Sequence, residues 1–363
     1  ITIFKDGHFV TTQHMDIGTI RLYELLHKPG LTEKAYRNQI EEYINKKLEV
    51  FRALYLDAEL DYIIFMNDYG INFINGMELE AKGDNLIKTE KFVKYLVKLS
   101  KNAKEDIIDE LNLTNDKSNL IIPSIILFKA LATKLTAKEV WIPGVNVNDG
   151  IAFDYADRNK LLKGFHNFDE DVITAALAMS EHYNSYSTHI EALTKLTVQV
   201  FDAIKRTHGL GSRQRLLLQV ATILHDCGKF VSLSNSAESA YNIIMSSEII
   251  GLTHLERQIV ALTVLFNSIP LCDYGELDVD ITKEDYLTAV KLSAILRLSN
   301  ALDQSHKQKF KNIKISLREK KMIISVESFE DISLEQTLFA SKTSYFENVF
   351  SIKPVLREKK VMM

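Results

Sequence analysis

The sequence predicts an α/β region, an all-helical region and a small α+β tail, with boundaries near residues 158 and 310. Three observations lead to that division. Short apolar runs of strand character alternate with helical periodicity through the first 150 residues, the signature of an α/β layer. From about 159 to 310 one helical pattern follows another. Beyond 311, two strand-like segments and one more helix return.

Ile1–Phe4 and Phe9–His14 read as two strands around the turn Lys5-Asp6-Gly7, a combination that favours a hairpin. A helix carrying Ile20, Leu22, Leu25 and Leu26 follows, and Thr32 is placed to cap a long helix running to about Leu54. Tyr62–Phe65 and Val140–Ile142 read as buried strands, with helices expected near 90–101, 104–112 and 123–135 between them. In the second region Ser187–Arg206, Ser212–Asp226, Glu238–Ile249, Thr253–Asn267 and Thr282–Gln304 all show helical apolar spacing. Thr253 with Glu256 forms a capping-box pair. In the tail, Ile313–Leu317 and Met322–Val326 predict a hairpin, and Leu334–Val349 predicts a helix. Neither an internal repeat nor a low-complexity segment is present.

The 363 residues are 46% hydrophobic and 25% charged, as in an ordinary globular protein with room for two or three cores. The net charge of −4 gives no electrostatic reason to expect nucleic acid as a partner. Cys227 and Cys272 are the two cysteines, so the sequence implies no disulfide framework and suits a reducing cytoplasm. The longest apolar stretch, Leu120 to Ala132, is interrupted by Pro123 and Lys129 and is too short for a bilayer span, so no membrane association is expected. The chain opens at Ile1 and runs straight into a strand; it reads as a fragment of a longer protein lacking its N-terminal part.

The chemistry-bearing residues converge on the helical region. His189 lies in line with Leu193, Leu196, Val200 and Ile204; His225 continues the row Leu218 and Ala221; Asp303 continues the row Leu292, Leu296 and Ser299. A spacing of three or four points each of them inward. Asp226 adjoins His225. Buried carboxylates are costly when unpaired, so Asp226 and Asp303 need a cation or hydrogen-bond partners. Two imidazoles and two carboxylates suit a divalent ion such as Mg, Mn or Zn. A hydrogen-bonded polar core with no metal is the alternative.

The ordered set His189, Leu224-His225-Asp226-Cys227-Gly228-Lys229 and Asp303 resembles the HD phosphohydrolases. That resemblance implies metal ligation by His189, His225, Asp226 and Asp303, and phosphate contact by Lys229. A solvated helix-end cation is the other reading of Lys229. His254 is the sole histidine between the His-Asp pair and Asp303, at a helix start, so one ion is expected rather than two.

A wider resemblance covers essentially the whole chain. The hairpin, the segment Met15-Asp16-Ile17-Gly18-Thr19-Ile20-Arg21-Leu22, Asp149-Gly150-Ile151, and Leu296-Arg297-Leu298-Ser299-Asn300-Ala301-Leu302-Asp303 together resemble the exopolyphosphatase and guanosine pentaphosphate phosphohydrolase (Ppx/GppA) family. The resemblance implies the second lobe of an actin-like (RNase H-like) ATPase fold over 1–158, an HD-like helical domain over 159–310 and a small α+β subdomain over 311–363. It also implies that the first lobe, with its phosphate loop and catalytic carboxylate, is missing. Where the family carries a glycine-rich phosphate loop, this sequence reads Phe65-Met66-Asn67-Asp68-Tyr69-Gly70-Ile71-Asn72, and the family's Arg-Glu-Gly becomes Asn148-Asp149-Gly150.

Two functions follow from these features. One is hydrolysis of the terminal phosphate of polyphosphate or a guanosine polyphosphate by the complete protein. The other is a regulatory protein that binds a phosphorylated metabolite or a metal through the HD-like domain and hydrolyses nothing. The oligomeric state, a homodimer being one option, is left open by the sequence.

Overall fold

Strand pairing and helix packing were followed in a computed structural model, which describes every residue except 27–29, 57, 67, 78–84, 115–117, 163–165 and 361–363. Its contacts divide the chain into two units, His14–His166 and Ile1–Gln13 with Asn167–Met363.

Within His14–His166, the long helix is Glu33–Tyr55, and Thr32 caps it by accepting the Ala35 N–H. Its buried side chains Tyr36, Ile40, Ile44, Leu48 and Phe51 fall on one face at helical spacing. Three strands form a sheet, β3 (Leu60–Ile64), β4 (Leu86–Lys88) and β5 (Ala137–Trp141), with β5 in the centre. β3 runs parallel to β5, and β4 runs antiparallel to it. The parallel pair needs a long crossover, which carries the helices Thr89–Leu99, Lys104–Glu110 and Ile121–Lys134. The apolar stretch noted above is that last helix. It is buried on nearly every side, so its uniform hydrophobicity reflects a core position, and Pro123 sits in its first turn where no helical N–H is lost. Phe65, Phe73, Phe92 and Phe128 pack around it, with Phe65 and Phe128 ring centres 4.5 Å apart.

Two segments of this unit depart from expectation. The stretch read as an altered phosphate loop is largely a helix, Asp68–Gly76; Asn67 lies outside the described residues. The Gly70 Cα faces Ile142, leaving little space for a side chain, so this glycine serves packing. Asp149 and Gly150 stand in the helix Val147–Arg158, where Asp149 completes a capping box by accepting the Asn146 N–H at 2.8 Å.

In the other unit, β1 (Thr2–Lys5) and β2 (His8–Thr12) form the expected hairpin. Asp6 and Gly7 both have left-handed backbones, φ 52° and 77°, as a two-residue hairpin turn requires. Its Phe9 is buried in the same core as the helices Phe168–His182, Ser187–Ala203, Ser212–Leu224, Ser236–Ser246, His254–Ser268 and Lys283–Asn300. Thr253 and Glu256 cap each other's backbone as predicted. The tail is larger than a hairpin. β6 (Lys311–Arg318) pairs antiparallel with β7 (Lys321–Ser328), and β8 (Lys353–Lys360) pairs parallel with β7 after the helix Ser333–Phe350. The edge strand β8 is masked in the sequence by its charged residues and Pro354, which an edge tolerates. Among the described residues no helix is long and apolar enough to cross a membrane.

Candidate functional site

The helix Ser187–Ala203 buries the side of the helix formed by His189, Leu193, Leu196 and Val200. His189 is therefore fully enclosed, at 0% exposure. The helix Ser212–Leu224 stops one residue short of His225. His225 and Asp226 then lead into a 3₁₀ turn, Cys227–Phe230. This turn presses so closely on the start of the Ser236–Ser246 helix that a Cβ on Gly228 would collide with the backbone of Ser236 and Ala240, and glycine is the residue that fits such an approach. The helix Lys283–Asn300 tightens into a 3₁₀ turn, Ala301–Asp303, before a loop begins.

These elements bring the four sequence-predicted residues together, all of them buried. His189 Nδ1 lies 2.7 Å from Asp303 Oδ2. His225 Nδ1 donates to the Thr222 carbonyl at 2.7 Å. The ring centres of His189 and His225 are 5.3 Å apart. Asp226 Oδ2 accepts from Lys229 Nζ at 2.7 Å, while Asp226 Oδ1 lies 3.2 Å from His225 Nε2. Lys229, whose side chain is 44% exposed, is thus committed to Asp226 and only partly to solvent.

A fifth residue joins the cluster. His306 stacks on His189 with ring centres 3.8 Å apart and an interplanar angle of 13°. His189, Asp226 and His306 each place one ligand-capable atom within 4.8 Å of the others. Periodicity could not find His306, because it lies past the helix end, in a loop where it and Gln308 have left-handed backbones. Its proximity in sequence to Asp303 was the available signal. His254 takes no part; it sits beside Arg257 at its helix start.

The charge states follow from the surroundings. Burial pushes His225 down to about 4, which keeps it neutral at physiological pH. With Nδ1–H donating to Thr222, its Nε2 lone pair faces the Asp226 carboxylate. Burial alone would raise Asp226, but the ammonium of Lys229 bonded to it holds it below the usual carboxylate range. Burial would likewise raise Asp303, and the bonds from His189 and Gln308 outweigh that and lower it. His306 is lowered by burial and by His189. The Nε2 atoms of both His189 and His225 are buried without a hydrogen-bond partner. Such orphaned acceptors are uncommon in folded proteins, and a lone pair held 3.2 Å from a carboxylate oxygen is repelled unless a cation stands between them. The donor set therefore fits a divalent metal ion.

The span 173–343, which contains the whole cluster, matches the family model for Ppx/GppA phosphatase, domain III. Over this span the chain is similar to that phosphatase domain. No curated protein matches the chain.

Proposed function

We propose that this chain is part of a phosphohydrolase of the exopolyphosphatase and guanosine pentaphosphate phosphohydrolase kind, and that its buried His–Asp cluster holds one divalent ion. The observation that carries the reading is the pair of partnerless imidazole nitrogens beside Asp226, inside the span matched to domain III. The substrate class is polyphosphate or a guanosine polyphosphate, and the reaction is loss of its terminal phosphoryl group to water. In the other unit, the parallel pairing of β3 with β5 and the helices between them support an actin-like second lobe.

A bound ion supplies positive charge against the negative phosphoryl oxygens. The chain's own residues do the rest. Lys229 balances Asp226 now and is long and exposed enough to turn toward an arriving phosphate. Asp303 and Gln308 hold the ring of His189 and the following loop in place. Neutral His225 adds a lone pair without adding charge.

The test is metal uptake after exhaustive chelation and reloading, comparing the chain with His225→Ala. One equivalent of Mn²⁺ or Zn²⁺ in the parent and much less in the variant is the expected result. Near-zero metal in both leaves the hydrogen-bonded polar core.

A second reading, a regulatory protein that binds a phosphorylated metabolite or metal without turnover, is favoured by one specific feature. The segment corresponding to the family's phosphate loop forms the helix Asp68–Gly76 and offers no run of glycine N–H groups to an anion. Phosphate release from inorganic polyphosphate and from guanosine pentaphosphate separates the two.

A further inference from the structure

The geometry points to a ligand set that differs from the one the HD resemblance implies: His306 takes the place of Asp303, so that the ion is held by His189, Asp226 and His306 together with His225, and Asp303 stands behind His189 as a positioning residue. This rests on the metal-site reading above and specifies which atoms carry it.

The case against Asp303 as a ligand is that both of its oxygens are already in use. Oδ2 accepts from His189 Nδ1 at 2.7 Å and from Gln308 Nε2 at 3.1 Å, and Oδ1 accepts from the Gln308 backbone N–H at 2.8 Å. A carboxylate bonded to Nδ1 fixes the proton there and leaves the lone pair on Nε2, the arrangement that commonly backs a metal-bound histidine. The atom so prepared, His189 Nε2, is one of the two buried imidazole nitrogens without a partner among the described residues. Asp303 thus acts on the ion through His189.

The case for His306 is that its loop is held at unusual effort. His306 and Gln308 have φ of 54° and 48°, a region that costs a residue other than glycine about 1 kcal/mol or more. Bonds on both sides of His306 maintain it. Ser305 Oγ donates to Glu335 at 2.6 Å, and Lys309 Nζ donates to Glu335 at 3.0 Å and to the Asp331 carbonyl at 2.8 Å. Glu335 is fully buried in the helix Ser333–Phe350. The result of this bracing is that an imidazole lies flat against His189, with its nitrogen near Asp226.

The experiment uses Co²⁺ as the probe on the full chain, reading both affinity and the visible absorption spectrum, which reports the donor atoms. Circular dichroism of each metal-free variant checks the fold. Glycine relieves the left-handed backbone, so His306→Gly removes the imidazole without adding strain. His306→Gly should bind Co²⁺ on the order of 100-fold more weakly with an altered spectrum, and added imidazole should restore the spectrum. Asp303→Asn should keep the parent spectrum while weakening binding about tenfold, the range for loss of an outer hydrogen-bond partner. A parent spectrum in His306→Gly together with a changed one in Asp303→Asn would overturn the assignment and leave the metal site standing. No Co²⁺ uptake by the parent chain would overturn the metal site itself.

Discussion

Removing the Glu335 carboxylate tests how the loop behind the cluster is held. Glu335 is fully buried, and its partner Lys309 has a side chain only 12% exposed. Glu335→Ala would leave that ammonium enclosed with the Asp331 carbonyl as its remaining acceptor and would strip Ser305 of its own. Breaking one side of a buried ion pair costs roughly 3–5 kcal/mol. Glu335→Gln keeps an acceptor for Ser305 and should cost less, on the order of 2 kcal/mol. The double change Glu335→Gln with Lys309→Met removes both charges, so it should be less destabilising than the sum of the single changes. Urea unfolding of the metal-free chain, followed by a probe in the Asn167–Met363 unit, gives the three values. Acid should act in the same direction. Burial would raise Glu335, but Ser305 and Lys309 keep its folded value below the ordinary carboxylate range, so the stability it contributes is present above that range and lost as pH falls through the folded value. Single variants within about 1 kcal/mol of the parent, with additive effects, would refute the claim that this pair braces the loop.

Three further outcomes are expected. Gly228→Ala should destabilise by at least about 2 kcal/mol and weaken metal uptake, since the added methyl meets the backbone of Ser236 and Ala240; thermal unfolding and metal analysis read both effects. His208 donates from Nε2 to the Phe201 carbonyl and accepts from the Leu210 N–H at Nδ1, so only the neutral ring satisfies both bonds, and burial lowers its pKa below 6.5. The unfolded chain then binds the proton more readily, stability should fall as pH drops below about 6.5, and His208→Gln should show a shallower decline in denaturant midpoint over the same range. Finally, the chain alone should release no appreciable phosphate from long-chain polyphosphate; steady release that mutations between 60 and 75 abolish would show that the lobe retains phosphate chemistry.

The helical unit was legible in sequence because its positions repeat. Leu193, Leu196 and Val200 lie buried at their spacing and carry His189 inward with them, and the same holds for the rows leading to His225 and Asp303. His306 was not legible, because a loop position is set by braces distant in sequence, here Glu335, and no local period encodes them. The direction of Asp303 was hidden for a related reason. Periodicity says that a side chain faces inward, but not whether it meets a metal or the Nδ1 of a neighbouring imidazole. Phe65–Asn72 was read against a family loop, although Tyr69, Phe73 and Ile74 are buried at the spacing of the helix Asp68–Gly76. Strand β8 escaped because Lys353, Arg357, Glu358 and Lys359 are exposed and obscure the half-buried pattern of an edge strand.

The bond between His189 and Asp303 joins residues 114 positions apart, and the Asp226 that faces them comes from a third place in the chain. Partners so distant meet late, after the intervening helices have packed, because closing long loops is slow to be rewarded. An ion that needs all of them finds no site on a half-formed unit. It should therefore leave the rate of refolding nearly unchanged and instead slow unfolding, since it stabilises contacts that the transition state lacks. The cluster would then act as a late clasp, with metal lengthening the lifetime of the finished fold rather than hastening its arrival.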